Sequence, residues 1–300
     1  MFGMDIRSDT RSSVLRGQDG RPRLSARIAL AWLGFFGCVL LIGGTVQAAA
    51  ARLPGVISHS AAGLGVTASA LGLVCVMRRH ADRRPWSGVG LTLNRAVVPH
   101  LVFGMVVATT LATVGAAVVV QVGLADWAWS AEATKTLAEQ RLASTIITIA
   151  VSVLLVQGLP EELVFRGYIF RNLGATLPLW AVVAVSSLLF GSMHVFSSGG
   201  ATTLAERAWY AVAMSGFGLM LAACRTVSGT LWLGIGFHGG FDACNGQFFV
   251  VHHGAFIPAW LIILVVLIAG AAGMLAVRQW FVPLDWRAVP GDACSGAVKS

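Results

Sequence analysis

Residues 158–173 read GLPEELVFRGYIFRNL, and they close an uncharged, largely apolar run that begins at Leu142. Two adjacent glutamates, Glu161 and Glu162, and one arginine, Arg166, stand where charge is expensive, so their surroundings decide what kind of protein this is. The 300-residue chain is 56% hydrophobic and 11% charged, whereas an ordinary soluble domain carries roughly 25% charged residues. Repeated uncharged runs reach the roughly 20 residues needed to cross a hydrocarbon core of about 30 Å. They lie near 26–50, 56–77, 98–124, 142–172, 177–197, 207–224, 229–250 and 256–281.

Continuous apolar runs rich in Leu, Val, Ala and Gly are helical in lipid, because a barrel strand alternates polar and apolar residues over about ten positions. The pattern therefore predicts an all-α, polytopic integral membrane protein with about eight transmembrane helices. No internal repeat divides it, so residues 26–282 form one membrane domain. Residues 1–25 mix Arg, Asp, Ser and Gly with few large apolar side chains and read as a flexible cytosolic tail. Residues 283–300 read as a second cytosolic tail. The first apolar run is longer than the core of a signal peptide and is expected to be retained as a span. The segment from Asp126 to Arg141 reads as an external connector with a short amphipathic pattern.

The net charge of +8 does not point to nucleic acid, because the basic residues follow the positive-inside rule. Eleven of them flank the first two spans, from Arg7 to Arg27 and from Arg78 to Arg95. With eight spans, 17 of the 21 basic residues fall on one side, which predicts a cell-membrane protein with both termini cytoplasmic. The basic loop 78–95, with Trp86 inside it, suits contact with lipid headgroups. The five cysteines show no CxxC spacing and are expected to be small packing residues.

Most acidic residues lie in loops and tails; Glu161, Glu162 and Asp242 fall within embedded sequence. An ionisable side chain in the membrane by default faces a polar cavity and has a function. The deep histidines are His194, in FGSMHVF, and His238, in FHGGFDACN. Helix rise places Glu161, His194 and His238 about 17, 24 and 14 Å from the cytoplasmic side, levels that ordinary tilts of about 20° can merge. Glu162 and Arg166 are four apart, the favourable order for a helical ion pair. His238 and Asp242 are likewise four apart, on a glycine-lined turn where Gly239 and Gly240 allow another backbone or a substrate to approach closely.

Taken together, EExxxR at Glu161–Arg166, FxxxH at Phe190–His194 and HxxxD at His238–Asp242 resemble the CPBP family of intramembrane proteases, which includes CAAX-prenyl endoproteases and bacteriocin-processing and immunity proteins. The resemblance covers roughly residues 140–250, the motif-bearing core. The CAAX endoproteases of eukaryotes usually have Asn where this chain has Asp242, and an ionised Asp cannot donate a hydrogen bond to an oxyanion.

The resemblance implies an intramembrane endopeptidase acting on a membrane-associated peptide or protein. In it Glu161 activates a water with His194 beside it, Arg166 holds Glu162, and His238 polarises the scissile carbonyl. A carboxylate moved from water into an apolar cavity is a better proton acceptor, so no cofactor is required on this reading. Zinc held by Glu161, His194 and His238 is the competing chemistry. Two further classes fit the same residues: a proton-coupled transporter using Glu161, His194 and Asp242 as a relay, and a non-catalytic scaffold or immunity protein. A serine mechanism through Ser215 leaves the acidic pair without a purpose.

Overall fold

The computed structural model describes residues 17, 20–53, 55–128, 152–197, 199–244 and 249–289. Among the described residues, six helices are long and apolar enough to cross a membrane: Leu24–Ala49, Ser60–Asp82, Val97–Gln121, Leu179–Phe196, Leu204–Ser228 and Phe256–Phe281. The chain is thus an all-α multi-pass membrane protein. In order, α1 spans Leu24–Ala49, α2 begins at Gly55 and runs to Asp82, and α3 is Val97–Gln121. Helix α4 occupies 152–173, α5 Leu179–Met193, α6 Leu204–Ser228, α7 Trp232–Cys244 and α8 Phe256–Phe281. The outer faces of α1, α3 and α8 expose Leu33, Leu41, Val98, Phe103, Leu261 and Val265, side chains that water would not tolerate in such rows and that lipid accommodates.

The two expected spans outside this set are the ones that carry glutamates and His238. Helix α7 is described over 13 residues, Trp232–Cys244, about 20 Å at 1.5 Å per residue, and residues 245–248 of its expected run lie outside the described residues. Helix α4 is described from Ser152, and the rest of its expected run, 142–151, lies outside the described residues, as does most of the expected connector, 129–141. Ser152–Gly158 and Leu163–Ile169 in α4 are π-helical and bracket the α-helical turn Leu159–Glu162. Pro160 cannot donate the backbone hydrogen bond of a regular turn, and a locally wider helix is how a chain absorbs such a defect, most often at a functional position.

Helix α7 packs most extensively on α3, and glycine makes the approach possible. A Cβ on Gly236 would overlap the Leu101 carbonyl, one on Gly240 would come within 2.9 Å of Met105 Cα, and one on Gly104 would overlap the Leu233 carbonyl. Gly236 and Gly240 form the small-xxx-small spacing that lets membrane helices meet backbone to backbone. Gly240 therefore receives α3, where the sequence left the neighbour open between a backbone and a substrate. Gly104→Val is expected to cost about 2–3 kcal/mol, since the clash is with backbone. Thermal unfolding in detergent checks this against Gly72→Ala, where the added methyl meets nothing within 4 Å.

A two-stranded antiparallel ribbon, β1 Ala125–Trp127 with β2 Phe249–Val251, ties the loop after α3 to the loop after α7. It is a minor addition to the helical architecture. At the opposite end, Arg27 of α1 bonds Asp82 and Asn172, and the amides of Leu179 and Trp180 donate to the carbonyls of Ala288 and Trp286. The start of α1 and the segment after α8 thus lie at one end of the bundle, as an even number of crossings requires. The segment read as a C-terminal tail is docked there through residue 288.

Candidate active site

Helix α4 is the most enclosed element: every side chain from Pro160 to Ile169 is buried. Arg166, fully buried, donates from Nη1 to Glu162 Oε1 at 3.0 Å, the pair that the four-residue spacing predicts. Its Nη2 donates to the Gly218 carbonyl of α6 at 2.9 Å. The guanidinium lies over the Phe190 ring, 4.4 Å from the centroid, a cation–π contact in a desolvated setting. Phe190, which reads in sequence as the anonymous first residue of FxxxH, is thus the platform beneath the arginine.

Three carboxyls surround one imidazole. His238 Nδ1 stands 3.6 Å from Glu162 Oε1, and its Nε2 stands 3.8 Å from Glu161 Oε2 and 3.4 Å from Asp242 Oδ2. The ring is fixed edgewise by Phe217, with centroids 5.0 Å apart, and by Phe190 at 6.0 Å. Glu162 lies against α7 so closely that a Cβ on Gly234 would sit 2.6 Å from its Oε2. Most of these separations exceed hydrogen-bond length. Glu161 Oε2, Glu162 Oε2, His238 Nδ1 and Asp242 Oδ2 are buried and have no hydrogen-bond partner in the protein. Buried polar atoms are almost always paired, so these four, distributed around the two nitrogens of His238, call for water or for polar groups of a substrate.

The imidazole beside Glu161 is that of His238, where the sequence reading paired Glu161 with His194. Helix α5 ends at Met193, and His194 opens a short 3₁₀ turn, half-buried, with Nδ1 donating to the Phe190 carbonyl at 3.1 Å. That bond leaves Nε2 for a second partner. His194 joins the cluster through Phe190, 4.8 Å away by ring centroids, and touches Tyr210 at 5.9 Å on its other side. Among the described residues no three His, Cys, Asp or Glu side chains are grouped so as to hold a metal ion. The alternative zinc set of Glu161, His194 and His238 is not among such groups in the described residues. Ser215 donates to the Ala211 carbonyl of its own helix at 3.0 Å, an ordinary structural role.

Sequence reasoning missed Asp82, which reads as part of a basic loop. It is fully buried and bonds three side chains from two other helices, α1 and α4. Its Oδ1 accepts from Arg27 at 2.8 Å and from Tyr168 at 3.0 Å, and its Oδ2 accepts from Asn172 at 3.1 Å. Tyr168 and Asn172 belong to α4, so Asp82 anchors the helix that presents the glutamates.

Arg166→Lys is expected to lose about 2 kcal/mol, because an ammonium cannot serve Glu162, the Gly218 carbonyl and the Phe190 face together. The check is a denaturant titration in detergent, with the truncation Arg166→Ala expected to cost more.

Fold and site together define a polytopic membrane protein with a carboxylate–imidazole centre closed inside its helices. Residues 143–244, about a third of the chain, match the family model described as type II CAAX prenyl endopeptidase Rce1-like. The match supports assigning the motif-bearing segment to the CPBP/CAAX-protease family and, at family level, a CAAX-type intramembrane endopeptidase. No curated protein matches the chain.

Proposed function

We propose that this protein hydrolyses a peptide bond of a membrane-associated peptide or protein with water activated by Glu161. The observation that carries the reading is the set of unpartnered buried polar atoms on Glu161, Glu162, His238 and Asp242, gathered around one imidazole. Glu161 Oε2 accepts a proton from a water held between it and His238, and the water oxygen attacks the scissile carbonyl carbon. His238, supported by Asp242, stabilises the oxyanion. The proton taken by Glu161 passes to the leaving nitrogen as the C–N bond breaks, giving a carboxylic acid and an amine. Arg166 and Glu162 hold α4 against α6 and α7, so the base and the imidazole stay in register.

A cavity of about 760 Å³, walled by Tyr210, Phe256, Trp260, Glu206, His252 and His253, lies on the far side of Tyr210, whose ring contacts His194. It supports entry of an extended peptide from the end of the bundle bearing the β-ribbon. The charge asymmetry of the loops supports placing the opposite end, with both termini, in the cytoplasm. The prenylated substrate named for the family is one candidate among membrane-associated peptides.

The test is cleavage of a mixed library of membrane-associated peptides by purified protein in detergent, with and without chelator. Cleavage is expected from the wild type and is expected to be lost in His238→Ala and strongly reduced in His194→Ala, both variants remaining folded. Cleavage unchanged in His238→Ala sinks the assignment.

A further inference from the structure

The end of the bundle away from the carboxylate cluster holds a second constellation that peptide hydrolysis does not use. Helix α2 widens into π turns over Met77–Asp82 and stops at Arg83, which has φ 52°. Among the described residues Arg83 is the one non-glycine side chain in the left-handed region, where such residues seldom settle without a reason. The reversal, with the Arg84 amide donating to the Arg78 carbonyl at 3.0 Å, turns the chain back over the end of the helix. It encloses a cup of about 380 Å³ walled by Arg78, Arg79, Arg83, Arg84, Pro85 and Trp86.

Four arginines line it, and the carboxylate beside Arg78 is already committed. Asp82 lies 3.5 Å from Arg78 Nη1, but it also accepts from Arg27, Tyr168 and Asn172. Arg78 is the telling member. Its side chain is 4% exposed, its Nη2 donates to the Pro85 carbonyl, and its Nε has no hydrogen-bond partner. A loop that merely obeys the positive-inside rule spreads its arginines in water; it does not bury one of them, with a donor unfilled, beside a concavity that other arginines line. Trp86, more than a third exposed beside it, suits the headgroup level of a bilayer.

We propose that this cup is a phosphate-binding site, filled by the headgroup of an anionic phospholipid. Arginine forks match phosphate oxygens in pairs, and the cup lies at the end of α2, where headgroups begin. A soluble phosphate-bearing ligand would meet the same donors. The inference does not depend on the protease reading.

The test is binding to the full-length protein in detergent, by native mass spectrometry, of three probes: short-chain phosphatidylglycerol, phosphatidylcholine of the same chain length, and inorganic phosphate. Because Arg78 is buried and its loss threatens folding, the variant is the exposed pair Arg79→Gln/Arg83→Gln. The wild type is expected to prefer phosphatidylglycerol over phosphatidylcholine by about tenfold or more, and the variant to lose most of that preference. Inorganic phosphate that displaces the lipid at comparable concentration keeps the phosphate site but assigns it to a soluble ligand. Equal binding of the two lipids, or a preference that survives in the variant, overturns the proposal.

Discussion

Glu161→Gln is expected to lower peptide cleavage by about a thousandfold while leaving the protein folded, because the amide keeps the shape of the side chain and removes the proton acceptor. Glu162→Gln is expected to behave in the opposite way. Glu162 is the partner of a fully buried arginine, and taking away its charge leaves Arg166 uncompensated, at a cost of about 3–5 kcal/mol. Single-turnover cleavage and thermal unfolding, measured on both variants, separate the two roles. If Glu161→Gln retains cleavage, the base lies elsewhere; if Glu162→Gln unfolds no earlier than wild type, Arg166 does not depend on it.

The second large effect is expected far from the reaction. Asp82→Ala strips the counter-charge from Arg27 and Arg78, whose side chains are 13% and 4% exposed, and frees Tyr168 and Asn172 of α4. Removing one partner of such a buried network costs about 3–5 kcal/mol. Asp82→Asn keeps an acceptor for Tyr168 and should fall between Ala and wild type. The measurement is the midpoint of denaturant unfolding in detergent. An Asp82→Ala protein as stable as wild type would mean that the arginines find water instead.

The positions of Glu161, Glu162, Arg166, His238 and Asp242 were legible because helical spacing acts within one element: residues four apart meet whatever the rest of the chain does. Asp82 was not legible for the converse reason. Its neighbours in sequence, MRRHADRRP, have the composition of a cytosolic loop, and its burial is decided by Arg27, Tyr168 and Asn172, 55, 86 and 90 residues away. The pairing of Glu161 with His238 instead of His194 escaped depth reckoning as well. That reckoning assumes uniform rise, and α4 has two π segments while α5 gives way to a 3₁₀ turn at His194.

The glycine contact between α3 and α7 bears on how this protein can be taken apart. A fragment cut to residues 143–244 would contain every motif side chain and the entire family match. It would also lose α3, leaving the Gly236 and Gly240 face of α7, shaped to receive Leu101 and Met105, turned toward lipid or another chain. Such an excised piece is expected to aggregate or to recruit a surrogate helix. The first half of the molecule, silent in motifs, is in this sense the mould in which His238 is held, and a transplant of the motif segment into another membrane scaffold would have to bring a small-residue helix with it.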